Sequence, residues 1–111
     1  MSSFDDVARK LDALWQTFLP TMHSRLAVLH SAIESLQAKR LDEDLRRKAA
    51  HEAHKLAGSL GTFGLSPASD HALRIEHLLS SSGPIHDQDC AELSERFAKI
   101  REAIQGRDAA H

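Results

Sequence analysis

The chain has 111 residues, 41% of them hydrophobic, which suits one domain with a single core. Its 14 basic and 16 acidic side chains give a formal net charge of -2, so no basic field favours a nucleic-acid partner. No segment approaches the roughly 20 apolar residues that span a bilayer, and the N-terminus lacks the pattern of a signal peptide. We therefore expect a cytoplasmic protein without membrane or nucleic-acid partners.

The composition favours helix over strand, because tyrosine is absent and helix-forming residues such as leucine and alanine are plentiful. A first helix is predicted before Pro20, which should end it. Its apolar residues recur at spacings of three and four and are expected to pack in the core: Phe4, Val7, Leu11, Leu14 and Phe18. The fold class is therefore predicted to be all-α.

Four further helices follow in the sequence. The second carries an apolar stripe over residues 22–36. Asp42 is a suitable N-cap for the third, and Gly64 can end it. Ser66 and Pro67 suit the N-cap and first position of the fourth, which runs to about residue 79. The last helix is predicted over residues 87–105, where the single cysteine, Cys90, lies on the apolar stripe as an expected core residue.

The joints after the second and third helices are short, which favours antiparallel neighbours. We therefore predict an antiparallel up-down-up-down four-helix bundle with an additional N-terminal helix that closes one end. The bundle domain is predicted to cover residues 1–106, and residues 107–111 are predicted to form a polar, frayed tail or linker.

The third predicted helix has an unusual face around His54. With about 100° of rotation per residue, its core stripe lies opposite this histidine. Glycine inside a helix costs roughly 0.8 to 1 kcal/mol relative to alanine, so small residues here need a reason. One possible reason is that another helix crosses this predicted helix closely at this face. The reason we prefer is that a second protein must approach the imidazole, which larger side chains would prevent. Within about 60° of His54 lie Arg47, Ala50, His51, Ala57, Gly58 and Gly61, the predicted docking face.

Imidazole suits a phosphoryl carrier, because its unperturbed pKa near 6.5 leaves a neutral, nucleophilic fraction at cellular pH. Phosphoryl transfer requires alignment and electrostatic stabilisation, so the partner can supply the metal and cations. The sequence has no Walker-type loop and no protein-kinase signature. We expect no kinase activity and no cofactor in this chain, with Mg²⁺ only on the partner.

The segment His54-Lys55-Leu56-Ala57-Gly58-Ser59-Leu60-Gly61-Thr62-Phe63-Gly64 resembles the signature of histidine phosphotransfer (HPt) domains, and it is also similar to the phosphotransfer domain of the chemotaxis kinase CheA. The resemblance implies that His54 accepts the phosphoryl group, that Gly58 gives a partner access and that Gly64 packs at the helix end. It also implies a phosphorelay, in which the partners are a response-regulator receiver domain and an upstream hybrid histidine kinase or phosphorylated receiver.

Two charged residues bear on the tuning of this histidine. The family usually has lysine three residues after the histidine, where this chain has Ala57, and the nearest lysine is Lys55, about 100° around the helix. The second is Glu76, because a glutamate recurs at this position in the family's next helix. From the sequence alone it can extend to the bundle edge or orient His54 through one ring nitrogen, and both interpretations stay open.

Two other functions are alternatives. His51 and His54 are three residues apart and could ligate a common metal ion, but no third and fourth ligands are evident among the scattered histidines. The bundle could also be purely structural and bind other proteins. Other charged residues, including Arg46 and Glu92, are expected to lie on solvated helix faces.

Overall fold

The computed structural model describes residues 3–110 and contains four α-helices. They are α1 (Ser3–Gln37), α2 (Glu43–Thr62), α3 (Ser66–Ser80) and α4 (Asp87–Ala109). No strand occurs in that range, so the predicted all-α class is confirmed. Residues 1 and 2 of the predicted domain and residue 111 of the predicted tail lie outside the described residues.

A separate N-terminal helix, as predicted from Pro20, is wrong. Pro20 lies inside α1, which continues without interruption from Ser3 to Gln37. A proline in a helix interior costs about 3 kcal/mol or more. Here Trp15 and Met22, on either side of it, are both completely buried in the same core. Packing on both sides of the proline offsets that cost, so the helix does not end there.

Each helix contacts the next one along the chain, and α4 also contacts α1. Hydrogen bonds between α2 and α3 show that these two helices are antiparallel. Arg46, in the first turns of α2, bonds to Leu79 near the end of α3, and Ala57, later in α2, accepts from Ser69 near the start of α3. All four helices contribute to one core, whose largest fully buried side chains are Trp15, Met22, Leu29, Leu56, Leu60, Ile75, Leu93, Ile100 and Ile104.

The ends of α2 follow the sequence signals. The Asp42 side chain accepts a hydrogen bond of 2.7 Å from the backbone N–H of Leu45, which caps the helix. Gly64 has a φ of +77°, the left-handed conformation that glycine adopts after a helix end. In α3 the prediction is one residue off, because Leu65 occupies the N-cap and Ser66 is already helical.

The C-terminal tail differs from the prediction, since α4 extends to Ala109 and does not end near residue 105. Arg107 donates to Asp12 at 2.9 Å and lies over the Trp15 ring, and the Trp15 indole donates to Asp108 at 3.2 Å. These contacts bind the last turn of α4 to α1, so the residues expected to fray are held in the bundle.

Arg46 has a structural role that the sequence analysis missed. Its guanidinium donates to the backbone carbonyls of Leu79, Ser81 and Gly83, at 2.8 Å for Leu79 and for Gly83. These acceptors lie at the end of α3 and in the following loop, where carbonyls lack helical partners. Arg46 therefore fixes the connection between α3 and α4 to the first turns of α2.

The predicted core stripe of the first helix is wrong in its N-terminal half. Phe4, Val7, Leu11, Leu14 and Phe18 are between 38% and 80% exposed, although Trp15 among them is buried. The reason is that α1 is much longer than its neighbours. Both α4 and α2 end beside residues 12–18 of α1, as the contacts of Asp108 and Phe63 with Trp15 show.

Candidate functional site around His54

His54 lies midway along α2 on its solvent side, and its side chain is 64% exposed. The core residues of α2, including Leu56 and Leu60, point the other way and are fully buried. This agrees with the helical rotation that places the histidine opposite the core stripe. The imidazole is therefore accessible to a partner while its helix is anchored from behind.

One ring nitrogen of His54 faces Glu76 on α3. The Nδ1 atom lies 3.1 Å from Oε1 and 3.0 Å from Oε2 of the carboxylate. An ionised carboxylate only accepts hydrogen bonds, so Nδ1 carries the proton and donates it. The sequence left open whether Glu76 extends to the bundle edge or contacts His54, and in the structure it contacts His54.

The opposite ring nitrogen, Nε2, has no hydrogen-bond partner within residues 3–110. With the proton on Nδ1, the lone pair of the neutral ring is on Nε2 and points to solvent. The tautomer favoured by Glu76 thus exposes a nitrogen nucleophile. This arrangement can form a bond with an electrophile that a partner brings.

Gly58, one turn after His54, leaves open space. A Cβ atom built on this glycine would meet no atom of another element within 4 Å, so no neighbouring helix requires the absence of a side chain. Gly61 differs, because its Cβ would lie 3.6 Å from Ser69 Oγ, an ordinary contact with α3. Of the two glycines, Gly58 is the one whose Cβ position has no contact with another helix within 4 Å.

Two alanines of the predicted docking face do not belong to it. Ala50 and Ala57 are both buried, with 9% and 3% exposure. The Ser69 hydroxyl of α3 donates to the carbonyl of Ala57 at 2.8 Å, so α3 packs directly on this side of α2. Their small size allows the close helix crossing, which is the interpretation that the sequence analysis had not preferred.

The charged neighbours of His54 are spread out. Arg47 is exposed and paired with Asp44 at 3.3 Å, His51 is exposed one turn before His54, and Lys55 is exposed on the α1 side of α2. None of the three bonds to His54. The position where the family usually has lysine, Ala57, is buried, so the structure offers no cation there.

Beside Gly58 lies an apolar cavity of about 440 Å³ between α1 and α2, which the sequence analysis did not identify. Leu14, Phe18 and Phe63 contribute apolar side chains to its lining, which also includes Arg25 and Lys55. Phe18 and Phe63 are in edge contact, with ring centroids 6.1 Å apart. The apolar stripe of α1 already contained Leu14 and Phe18, but apolar periodicity does not show which part of a stripe is covered by another helix.

No group of three or more His, Cys, Asp or Glu side chains within residues 3–110 is placed to hold a metal ion. His51 and His54 therefore have no third ligand in that range. Cys90 is a half-buried free thiol, and burial raises its pKa above the ordinary value. No helix in the described part of the chain is long and apolar enough to cross a membrane.

Two comparisons with known proteins give matches. A family model described as Hpt domain matches residues 13–110. Protein RcaC from Microchaete diplosiphon is 33% identical over 69 residues, which cover 62% of this chain and 11% of that protein. The chain thus spans about a tenth of the length of this relative. No solved structure gives a significant match.

Proposed function

Because the chain belongs to the Hpt domain family, we propose that it is a phosphorelay carrier that accepts a phosphoryl group on His54 from the aspartate of a receiver domain and can return it. The observation that supports this most directly is the hydrogen bond from His54 Nδ1 to Glu76, which leaves Nε2 free on an open helix face.

In the proposed step, the Nε2 lone pair attacks the phosphorus of a receiver's aspartyl phosphate. The new P–N bond forms as the P–O bond breaks, and the bonding pair returns to the aspartate carboxylate. The imidazole ring gains positive charge, while its Nδ1 proton stays hydrogen-bonded to Glu76. The carboxylate stabilises that charge and fixes the ring orientation, so Glu76 is a positioning residue.

The carrier assignment needs no nucleotide site in this chain. The receiver is expected to supply Mg²⁺ and the cations around the phosphoryl oxygens, since alignment and charge neutralisation dominate such transfers. An upstream hybrid kinase would phosphorylate the receiver that donates to His54. A cytoplasmic location and a particular similarity to the CheA phosphotransfer domain stay predictions.

Labelling from a panel of phosphorylated receiver domains tests the proposal. We expect His54→Gln to abolish the label while helicity is retained, and His51→Gln, one turn away and also exposed, to keep it. The adduct should be acid-labile and base-stable, as nitrogen-bound phosphate is. Loss of label in His51→Gln alone, or label that survives acid, would overturn the assignment to His54. Repeating the labelling with this chain treated beforehand with a chelator would reveal any dependence on a metal ion held by this chain.

A further inference from the structure

Leu73 is an apolar residue on α3 that is 46% exposed. Single exposed leucines are common on protein surfaces, so exposure alone does not indicate a function. Leu73 differs from the rest in its closeness to His54. The other exposed large apolar side chains within residues 3–110 all lie in the first half of α1: Phe4, Val7, Leu11, Leu14 and Phe18.

Leu73 lies on the edge of α3 next to α2, between two contacts of these helices. Ser69 Oγ donates to the Ala57 carbonyl at 2.8 Å. The Glu76 carboxylate lies 3.0 Å from His54 Nδ1. Leu73 is four residues after Ser69 and three before Glu76, and a rotation of about 100° per residue places all three within about 60° of one another. Leu73 is therefore beside α2, about 4.5 Å along α3 from the glutamate that contacts His54.

The α2 residues beside this edge of α3 are small. The Ala57 carbonyl accepts from Ser69, and a Cβ atom on Gly61 would lie 3.6 Å from Ser69 Oγ. That distance is an ordinary contact, so packing against α3 does not by itself require glycine at position 61. Neither Ala57 nor Gly61 places a long side chain over the edge of α3, which leaves that edge open to a partner.

A receiver that reacts with His54 must cover the surface around the imidazole, because the phosphorus of its aspartyl phosphate comes into bonding contact with Nε2. Even a weak interface of about 1,000 Å² in total buries roughly 500 Å² on each partner, a patch about 12 Å in radius. Leu73 is one helical turn from Glu76, whose carboxylate contacts the ring. It therefore falls within such a patch centred on His54.

We propose that Leu73 is an apolar contact residue for the receiver domain, which packs an apolar side chain next to its phosphorylated aspartate against it. This inference rests on the phosphotransfer function proposed above and adds a binding residue to it. Covering the exposed part of the leucine with apolar atoms removes that surface from water, which favours the complex. Leu73 does not touch the reacting atoms, so the contact strengthens docking without accelerating the transfer step.

Rapid-quench labelling at increasing concentrations of a phosphorylated receiver that labels the parent chain tests the proposal. Leu73→Ala should raise the receiver concentration that gives half the maximal rate at least about fivefold, because apolar contact area is lost. The maximal rate should change less than about twofold, since uniform binding is removed. Leu73→Gln keeps the length of the side chain but is polar, and it should cause a similar loss. Leu73→Met keeps the apolar volume and should behave like the parent.

Leu11→Ala is the matched control, because it truncates another exposed leucine in the same way. Trp15 contacts Phe63, just after the end of α2, and Leu11 lies one turn further out, about 20 Å along the bundle from His54. This variant should leave both the half-saturating concentration and the maximal rate unchanged. Circular dichroism and thermal unfolding should show that all the variants are folded.

An unchanged half-saturating concentration in Leu73→Ala and Leu73→Gln would overturn the proposal and leave the assignment of His54 intact. A lower maximal rate at an unchanged half-saturating concentration would also overturn it, because Leu73 would then act through Glu76 and not through the partner. So would equal weakening by Leu11→Ala. A parent chain that no phosphorylated receiver labels would instead overturn the phosphotransfer function, and this inference with it.

Discussion

Gly58 is a residue at which stability and function should change in opposite directions. A Cβ atom at this position would contact no other helix within 4 Å. We expect Gly58→Ala to stabilise the fold by up to about 1 kcal/mol, because alanine reduces the backbone entropy that is lost on folding. Gly58→Glu should fold as well, yet slow transfer steeply, because its side chain would stand one turn from the imidazole and obstruct the receiver.

Thermal unfolding and receiver-dependent labelling of both Gly58 variants measure the two effects separately. If Gly58 were a packing residue, the larger side chain would overpack a helix crossing and cost roughly 1 to 3 kcal/mol. An unstable Gly58→Glu protein whose folded fraction transfers at the normal rate would contradict the assignment of this face to partner docking.

Glu76→Gln should alter the rate of transfer without preventing it. Glutamine can still accept the Nδ1 hydrogen bond, but it lacks the charge that stabilises the phosphorylated ring. A hydrogen bond to a charged group is stronger by about 1 kcal/mol, which corresponds to about a fivefold slower transfer. Rapid-quench labelling measures the rate, and Glu95→Gln on the exposed side of α4 is the control. A normal rate combined with lower stability would indicate a purely structural glutamate.

The residues of the site were predictable where one helix determines them. The position of His54 opposite the core stripe follows from rotation along α2 alone, and so does its exposure. Ala50 and Ala57 show where this reasoning ends, because they are buried by α3, whose distance from α2 depends on packing between helices. The hydrogen bond between His54 and Glu76 was predictable only in part. The sequence assigns the two residues to successive helices, but it does not give the distance between their side chains.

At the scale of the elements, an ion cluster joins α3 to α4. Glu92 on α4 accepts from Arg74 on α3 at 2.8 Å and from Arg96 at 2.7 Å, and Arg96 also donates to Nδ1 of His71 at 3.0 Å. The hydrogen bond from Arg74 first, and then that from Arg96, lower the pKa of Glu92 from 4.5 to about 2. Glu92 is therefore a structural contact and not a freely solvated charge.

This cluster predicts an acid-sensitive contribution to stability. A carboxyl group with a depressed pKa in the folded state stabilises the fold above its unfolded pKa. For Glu92 the contribution is complete above about pH 4.5 and is lost as the pH falls towards about 2. Between those values, the free energy of unfolding should fall more steeply for the parent chain than for Glu92→Gln. Urea titrations at several pH values measure the free energy of unfolding of both proteins. An equal dependence of this free energy on pH in the two proteins would contradict the prediction.

The helices themselves were largely predictable, but their limits depended on packing. Asp42 and Gly64 act through local backbone chemistry, and both behave as their residue types predict. Pro20 and Gly106, the glycine that directly follows the predicted end of the last helix at residue 105, also favour a helix end, yet helices continue through both. In each case, contacts with another helix outweigh the local preference, and a single sequence does not show those contacts.

At the scale of the whole molecule, a helical bundle around one core could be inferred from apolar periodicity and short connections, although five helices were predicted where the structure has four. The elongated shape could not. The molecule measures 55 by 22 by 21 Å, and the long dimension matches the length of about 52 Å expected for the 35 residues of α1. Periodicity identified the apolar side of α1 along its whole length, but it did not show that the neighbouring helices end before α1 does.

The junction at which α4 and α2 end against α1 contains the chain's single tryptophan, and the chain has no tyrosine. Trp15 is fully buried there, with the Phe63 ring centroid at 5.3 Å and the Arg107 guanidinium over its face at 5.0 Å. All tryptophan emission from this protein therefore originates at one end of the bundle. The wavelength of this emission reports whether α1, α2 and α4 meet at that end.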